Sequence, residues 1–316
     1  MSGLALSPPP SLPGHRTLVA SAALVDPAPA ASWQIRGPDR VRNPGPGDLV
    51  SSSRGSYRLL REVGRGAHGA VYEAIGSFDQ RFALKLQIPA FRSYAEVYEQ
   101  WRNEANRLLL LRHPNVVYLH DAFEHNYLFY MALEWCPWTL RDLLGNPLPS
   151  DLVIELLRQL LAATQYLHDN DIIHGDIHPG NVLLTNLNRP VAKLADFGIS
   201  QDLQGKGFAR PSVVHHAIMA PEVVAAGYTS RQSDLYQIGL LCFWMITGRA
   251  ALDYAVPYPD LVRQVTEGVP RSRAEALGTP LGNIVAKMLR RREAYRYASA
   301  HEVWQDLQQI RDGCLR

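Results

Sequence analysis

This sequence contains little cysteine, has a small net charge and has no long apolar run. Its three cysteines, Cys136, Cys242 and Cys314, lie far apart and form no CxxC pattern, which excludes a disulfide framework. We therefore expect unpaired thiols in a reducing compartment. The formal net charge is only +2 over 316 residues, so no excess of basic charge points to nucleic acid or to an anionic membrane surface.

The longest apolar run, residues 238–247, is also short. It has far fewer than the roughly 20 residues needed to span a bilayer. The N-terminus has no basic region ahead of an apolar core, so it does not predict a secretory signal. We expect a cytoplasmic protein that binds neither membrane nor nucleic acid.

Proline is concentrated at one end of the chain. Nine of the 22 prolines precede residue 47, mixed with Ala, Ser and Gly. Such a composition buries too little apolar surface to offset the entropy of ordering, so residues 1–54 are predicted to be a disordered tail. The alternative is that Pro8 to Pro13 form a polyproline II ligand for another protein. Residues 55–312 are predicted to form the folded domain.

From Tyr57 onward the hydrophobic pattern predicts strands first and helices later. Five segments show the short β-branched and aromatic runs of strands: 57–63, 70–75, 82–88, 116–123 and 128–135. Helical spacing follows at 94–111, 221–226, 231–247, 258–267, 280–290 and 299–311, and in a helix that Ser150 caps and that extends to Leu167. The pattern predicts an α+β fold, with a small β-rich lobe at about 55–135 and a larger helical lobe at about 137–312.

A GxGxxG pattern, Gly64, Gly66 and Gly69, stands between two of the predicted strands. Glycine lets backbone N–H groups approach phosphate oxygens with no Cβ in the way. A dinucleotide site would begin a helix at the third glycine, whereas this sequence continues as a strand. Taken alone, the pattern fits a phosphate loop or a hairpin without a ligand.

Two charged residues follow in apolar surroundings. Lys85 ends the strand-like run of residues 82–85. A charge there is costly unless it is paired or liganded, which favours a role on phosphates. Glu104 lies 19 residues later in the predicted helix, where a single glutamate is more typical of a surface charge.

Three oxygen-bearing side chains lie in later loops. Asp176 and Asn181 belong to residues 173–184, and Asp196 begins an Asp-Phe-Gly triplet. Phosphoryl transfer needs oxygen ligands for a metal ion and a carboxylate that orients the attacking hydroxyl. Loops on a rigid scaffold are where such groups are usually placed.

In their order along residues 57–312, these motifs resemble those of the protein kinase superfamily. The set comprises the glycine loop, Ala-Leu-Lys at 83–85, His-Gly-Asp at 174–176, Asn181, Asp-Phe-Gly at 196–198 and Ala-Pro-Glu at 220–222, with His-Pro-Asn at 113–115 and Asp-Leu-Tyr-Gln-Ile-Gly at 234–239. The resemblance implies a bilobal kinase fold and transfer of the γ-phosphoryl group of ATP to a protein substrate. It also implies a divalent cation, Mg²⁺ with Mn²⁺ as the alternative.

The resemblance implies a role for each matching residue. Asp176 would accept the proton of the substrate hydroxyl, and Lys85 would hold the α- and β-phosphates while pairing with Glu104. Asn181 and Asp196 would bind the metal ion. The residues expected over the phosphates are Gly64, Arg65, Gly66, Ala67, His68 and Gly69. Those expected around adenine are Val71, Ala83 and Leu183, the gatekeeper Leu133, and the hinge residues Glu134, Trp135 and Cys136.

One further pair is implied away from the chemistry. Glu222 of the Ala-Pro-Glu triplet is expected to pair with Arg296 and to brace the helical lobe.

The sequence departs from the kinase pattern at three positions. Gly175 replaces the arginine that in many kinases pairs with a phosphate of the activation loop, which indicates that such a phosphate does not switch this protein on. His178 replaces a lysine that neutralises transition-state charge, and we assign it to the catalytic set. His215 replaces a threonine near the catalytic aspartate, which fits either an altered acceptor site or simple drift within a variable loop.

These departures leave alternatives to a Ser/Thr protein kinase. The loop of residues 174–181 is similar to that of aminoglycoside and choline phosphotransferases, which favours a small-molecule acceptor. The triplet 220–222, the segment 234–239 and residues 261–270 are more typical of protein kinases. A pseudokinase that only binds is the third interpretation, but it would not need the retained magnesium pair.

Overall fold

The computed structural model of the chain describes residues 43–66, 69–88, 92–198, 200–203, 207–210 and 218–313. Its N-terminal lobe is a six-stranded antiparallel sheet in the order β1-β2-β3-β4-β6-β5. The strands are β1 Leu49–Ser51, β2 Ser56–Arg65, β3 Gly69–Ile75, β4 Arg81–Gln87, β5 Leu119–His125 and β6 Leu128–Glu134. Buried apolar residues of these strands form one core, in which Leu59, Leu84 and Leu86 are almost fully buried.

Helix α1, Tyr94–Leu110, packs against this sheet. It begins with a capping box, in which the Ser93 hydroxyl accepts a hydrogen bond from the Glu96 N–H and the Glu96 carboxylate accepts one from the Ser93 N–H. Trp101 is buried and donates its indole N–H to the carbonyl of Tyr130 at 3.0 Å. The helix is therefore anchored to β6, and this attachment holds Glu104 against the sheet.

The C-terminal lobe is helical. Its helices are α2 Ser150–Asp169, α3 Pro221–Ala226, α4 Arg231–Thr247, α5 Tyr258–Glu267, α6 Val269–Glu275, α7 Pro280–Met288 and α8 Ala300–Gly313. Helix α4 is buried along most of its length and contacts both α2 and α7, so it forms the centre of the lobe.

Short strands lie in the segments of chain before α2 and between α2, α3 and α4. They are β7 Trp138–Thr139, β8 Ile172–Ile173, β9 Val182–Leu184, β10 Ala192–Leu194, β11 Gln201–Asp202, β12 Phe208–Ala209 and β13 Thr229–Ser230. Strands β10, β9 and β7 form one small sheet, β11 pairs with β8, and β12 pairs with β13. The loop that follows β10 contacts the N-terminal lobe through Asp196, which pairs with Lys85.

The predicted α+β fold with two lobes is confirmed, and three helices, 221–226, 231–247 and 258–267, have the predicted bounds. Folded structure begins before residue 54, because β1 pairs with β2 and buries Val50. Residues 1–42 of the predicted tail lie outside the described part. No helix within the described ranges is long and apolar enough to cross a membrane.

Other boundaries needed correction. Ser150 is the first residue of α2 rather than its cap, since Pro149 occupies the cap position and no side chain caps the helix. The predicted strand at 116–123 begins only at Leu119, because Val117 instead donates its N–H to the carbonyl of Leu194 in β10. Helix α6 was not predicted, and it starts directly after Gly268, whose φ of +80° ends α5.

Candidate active site

Strand alternation places the predicted nucleotide residues on one face of the sheet. Along β4, Ala83 and Lys85 are half-buried, whereas the alternate residues Phe82 and Leu84 point into the core. Val71 on β3 lies opposite Lys85, and Leu133 on β6 lies opposite Ala83. The structure therefore brings these four side-chain positions to the sheet surface that faces the helical lobe.

Lys85 joins the two lobes. Its Nζ lies 2.7 Å from Oε1 of Glu104 on α1 and 2.8 Å from Oδ1 of Asp196 in the loop after β10. Glu104 is 1% exposed, so it is not the surface charge that a lone glutamate on a helix suggests, and it pairs with Lys85 as the kinase resemblance implied. The reason is that α1 turns this residue toward the sheet, where Gln87 also donates to its Oε2 at 3.2 Å.

Lys85 and Asp196 stabilise each other's charge, whereas burial raises the pKa of Glu104 despite the neighbouring Lys85. Burial alone would lower the pKa of Lys85, but the carboxylates of Asp196 and Glu104 outweigh burial and raise it. The Lys85 charge lowers the pKa of Asp196 to about 2, although burial opposes the shift. Asp196 has a φ of +64°, a conformation that is costly for a residue other than glycine and that clusters at functional sites. Lys85 is thus a cation and Asp196 an anion at neutral pH.

Asp176 and Asn181 meet in the loop between β8 and β9. The Asn181 Nδ2 donates to the backbone carbonyl of Asp176 at 3.0 Å and to its Oδ2 at 2.9 Å. The other carboxylate oxygen, Oδ1, is buried and has no hydrogen-bond partner within the described ranges. Burial and the negative charge of Asp196 raise the pKa of Asp176 to about 7, despite the opposing hydrogen bond from Asn181.

His178 faces the same carboxylate. Its Nδ1 accepts a hydrogen bond from the N–H of Gly180 at 3.0 Å, so the neutral ring carries its proton on Nε2. That nitrogen lies 3.7 Å from Oδ2 of Asp176. A Cβ on Gly180 would come within 2.9 Å of the His178 ring, so a larger residue here would displace His178.

Helix α4 holds the start of this loop through residues that the sequence analysis did not assign. The buried carboxylate of Asp234 accepts from the N–H groups of His174 at 3.0 Å and Gly175 at 2.8 Å. His174 is fully buried, and its Nε2 lies 3.1 Å from the carbonyl of Ala195. The Asp-Leu-Tyr-Gln-Ile-Gly motif was the available signal, but its long-range bonds cannot be derived from local spacing.

The glycine loop closes the hairpin between β2 and β3. Gly66 donates its N–H to the carbonyl of Gly69 at 2.8 Å, and a Cβ on Gly69 would meet the carbonyl oxygen of Leu86 at 2.6 Å. Gly64 has open space around its Cα, and the Arg65 side chain turns back to Glu62 at 2.8 Å. Ala67 and His68 lie outside the described residues, as does His215.

The predicted hinge follows β6. Leu133 is buried, and the Glu134 N–H donates to the carbonyl of Tyr118 at 2.8 Å, while its carboxylate pairs with Lys193 at 2.8 Å. Burial raises the pKa of the Cys136 thiol to about 12, so this thiol is neutral. Leu183 on β9 is half-buried and pairs with Thr139 of β7, on the helical-lobe side.

The site offers oxygen donors suited to a small divalent cation. Asn181 uses its Nδ2 on Asp176, which leaves its amide oxygen as the donor atom, and half of the Asp196 side-chain surface is open. Within the described ranges no cluster of three or more His, Cys, Asp or Glu side chains forms a complete metal site. Mg²⁺ commonly takes one or two carboxylate or amide ligands plus substrate phosphates, and the residues present fit that mode.

Comparison with known proteins agrees with this geometry. Residues 57–307 match the protein kinase domain family. The chain is 26% identical over 261 residues to the serine/threonine-protein kinase PrkC of Bacillus subtilis, covering 80% of this chain and 40% of the relative. It is 30% identical over 269 residues to the serine/threonine-protein kinase Pkn1 of Myxococcus xanthus, covering 79% and 38%.

A probable serine/threonine-protein kinase PknB of Lactococcus lactis is 27% identical over 260 residues, covering 79% of this chain and 41% of the relative. The chain thus spans about two fifths of the length of these curated relatives. This chain belongs to the protein kinase domain family.

Proposed function

We propose that this chain is a serine/threonine protein kinase, which transfers the γ-phosphoryl group of ATP to a protein hydroxyl. The observation that carries the proposal is the Lys85 bridge to Glu104 and Asp196, at 2.7 and 2.8 Å. The bridge joins Lys85, the cation that would bind the phosphates, to Asp196, the carboxylate that would bind the metal ion. A binding-only domain has no need of both.

Lys85 and the glycine loop would hold the phosphates of ATP, with Val71, Ala83 and Leu183 on the two sides of adenine. Asn181 and Asp196 would hold Mg²⁺, which when bound neutralises phosphate charge. The low pKa of Asp196, about 2, keeps that carboxylate ionised for a cation. Mn²⁺ has similar ligand preferences and is the alternative ion.

Asp176 would orient the attacking hydroxyl. The hydroxyl oxygen forms a bond to the γ-phosphorus, the bond from that phosphorus to the bridging oxygen of ADP breaks, and the hydroxyl proton passes to Asp176. A carboxylate whose pKa is about 7 is matched to accept a proton near neutral pH. His178 would donate from Nε2 toward the developing phosphate charge, the part that lysine takes in other kinases.

A protein acceptor is supported by the helical lobe. The Ala-Pro-Glu triplet is held by the ion pair between Glu222 and Arg296 at 2.7 Å, at the start of α3. The named relatives are serine/threonine kinases, which favours those two residues as acceptors over tyrosine.

The test is transfer of labelled phosphate from ATP with Mg²⁺ to the chain itself, to generic protein substrates and, in separate reactions, to choline and an aminoglycoside. Wild type is compared with Asp196→Asn, which keeps the side-chain shape but loses the charge. We expect label on serine or threonine from wild type only. Label on small molecules but not on protein would favour the phosphotransferase interpretation, and ATP binding without any transfer would favour a pseudokinase.

A further inference from the structure

Gln237 lies in the middle of α4 and is only 3% exposed. Its side-chain Oε1 accepts the N–H of Ile177 at 2.9 Å, and its Nε2 donates to the carbonyl of Gly175 at 3.0 Å. A buried carboxamide that loses such partners would incur a desolvation penalty, so both bonds hold it firmly in place.

These two bonds flank Asp176. The Gly175 carbonyl belongs to the peptide that precedes Asp176, and the Ile177 N–H belongs to the peptide that follows it. One side chain therefore holds both peptides that define the backbone of Asp176. Asp234, three residues earlier on the same face of α4, holds the N–H of Gly175 at 2.8 Å.

The carboxylate of Asp176 depends on this support. Its Oδ2 accepts from Asn181, but its Oδ1 has no hydrogen-bond partner among the described residues. Side-chain bonds therefore fix only one of the two oxygens. Gly175, with a φ of +78°, has few steric restraints of its own, and its N–H and carbonyl are held by Asp234 and Gln237 of α4. Within the loop, the Asp176 N–H donates to His174 Nδ1 at 3.2 Å and the Asp176 carbonyl accepts from Asn181 at 3.0 Å.

We infer that Gln237 is a positioning residue for the phosphoryl-transfer step, which holds the backbone of Asp176 so that its carboxylate meets the substrate hydroxyl. The inference rests on the proposed function, because it assigns Asp176 as the group that accepts the proton. Gln237 touches neither ATP nor the hydroxyl. Its loss should lower kcat and leave ATP affinity unchanged.

Gln159 on α2 offers a matched control. It is also buried, at 5% exposure, and its carboxamide also bridges backbone groups. It accepts the N–H of Ala192 at 2.6 Å and donates to the carbonyl of Pro190 at 3.2 Å. Replacing either glutamine by methionine removes one bond to a backbone N–H and one to a backbone carbonyl, but only Gln237 borders Asp176. Gln159→Met also removes bonds to Asn115 at 3.2 Å and Glu155 at 2.7 Å, so it is the more disruptive change for stability.

The experiment compares wild type, Gln237→Met and Gln159→Met. We expect Gln237→Met to lower kcat by about 10- to 100-fold, the size of effect that a small misplacement of a reacting group produces. The KM and the Kd for ATP should stay at wild-type values. Gln159→Met should lower the unfolding midpoint at least as much as Gln237→Met does, while kcat, expressed per folded molecule, stays close to wild type.

Amide hydrogen exchange gives a readout that does not depend on activity. The peptide containing Ile177 should exchange faster in Gln237→Met than in wild type, and not in Gln159→Met. If Gln237→Met does not fold, Gln237→Glu is used instead. The glutamate keeps the acceptor for Ile177 but cannot donate to Gly175 when ionised, so a smaller loss of kcat is expected.

The outcomes separate the two ideas. A folded Gln237→Met protein with wild-type kcat and unchanged exchange at Ile177 overturns the inference. A wild type that transfers no phosphate, with faster exchange in Gln237→Met, refutes the proposed function but retains the support of the Asp176 backbone by Gln237. Equal falls in kcat for both variants would reduce the role of Gln237 to general stability and so contradict the inference.

Discussion

Arg296 forms a two-pronged ion pair with Glu222. Its Nη1 and Nη2 donate to Oε1 and Oε2 of the glutamate at 2.8 and 2.7 Å, and both side chains are buried. The guanidinium also donates to the backbone carbonyls of Arg290, Arg291 and Gln232. The pairing that the kinase resemblance implied is confirmed, and it ties α3 to the chain just before α8.

Arg296→Met should destabilise the domain strongly. The substitution leaves Glu222 as a buried charge without its cation, and breaking such a pair typically costs about 3–5 kcal/mol of unfolding free energy. Equilibrium denaturation with urea would measure the loss. The matched control is Arg271→Met, which breaks a pair with Glu275 whose partners are about half exposed.

The control should lose about 0.5 kcal/mol or less, because exposed i,i+4 pairs contribute little. Equal losses for Arg271→Met and Arg296→Met would contradict the idea that burial makes the second pair important. A normal unfolding free energy for Arg296→Met would show that Glu222 finds another partner.

Lys85→Met should nearly abolish phosphoryl transfer. The variant removes the cation that lies 2.7 Å from Glu104 and 2.8 Å from Asp196, and so leaves two carboxylates facing the phosphates. We expect kcat/KM for ATP to fall by about 10²-fold or more, as when a preorganised charge is lost from a transition state. Steady-state kinetics would measure this fall.

Glu104→Gln refines the same prediction. It keeps the size of the side chain while removing one charge, and Asp196 still holds Lys85, so its loss of activity should be smaller. Lys287→Met, on the far face of the helical lobe and paired with Asp306 at 3.6 Å, is the control and should keep wild-type activity. A Lys85→Met variant as active as that control would remove Lys85 from the phosphate site.

His178→Ala should lower kcat, and His178→Lys should restore most of the activity. The alanine variant loses the Nε2 proton that faces Asp176 at 3.7 Å, whereas lysine supplies a donor and a positive charge. A fall of about 10²-fold is expected when one such donor is removed. Steady-state rates at saturating ATP would measure it, with the exposed His301→Ala as control. Equal rates for His178→Ala and His301→Ala would exclude a role in the transfer step.

The fold and one ion pair of the site could be predicted from sequence, because the order of the motifs was informative. The kinase resemblance implied that Lys85 pairs with Glu104. The ion pair between Lys85 and Asp196 was not predicted, because the resemblance assigned Asp196 to the metal ion. Strand alternation then explains why Ala83 and Lys85 share a face. The bounds of α4 were predicted correctly from a long apolar stretch that ends at Gly248, since this helix is buried on most of its faces rather than on one.

The long-range hydrogen bonds that hold the loop around Asp176 could not be predicted in the same way. Asp234 and Gln237 bond to backbone groups about sixty positions earlier in the chain, and no local pattern encodes such a pairing. Strand β1 has only three residues, too few for a period to be recognised. Gln87 contacts Glu104 only because β4 and α1 pack together.

Phosphatase treatment should leave the activity of this chain unchanged. Gly175 stands where many kinases have the arginine that binds an activation-loop phosphate. Instead, Asp234 and Gln237 hold the Gly175 peptide groups at 2.8 and 3.0 Å. The loop between β8 and β9, which contains Asp176, is therefore held in place without a phosphate.

The segment 199–219 also has few acceptors for a phosphate, since Ser200 and Ser212 are its only hydroxyl residues. Ser200 is 2% exposed and donates to the carbonyl of His174 at 3.2 Å, so a modifying enzyme has little access to it. Ser212 lies outside the described residues, and Ser212→Ala is therefore the variant to compare. We expect wild type, phosphatase-treated wild type and Ser212→Ala to share one kcat. Activity that falls on treatment and returns after incubation with ATP, in wild type but not in Ser212→Ala, would mean that a phosphate on Ser212 orders the site after all.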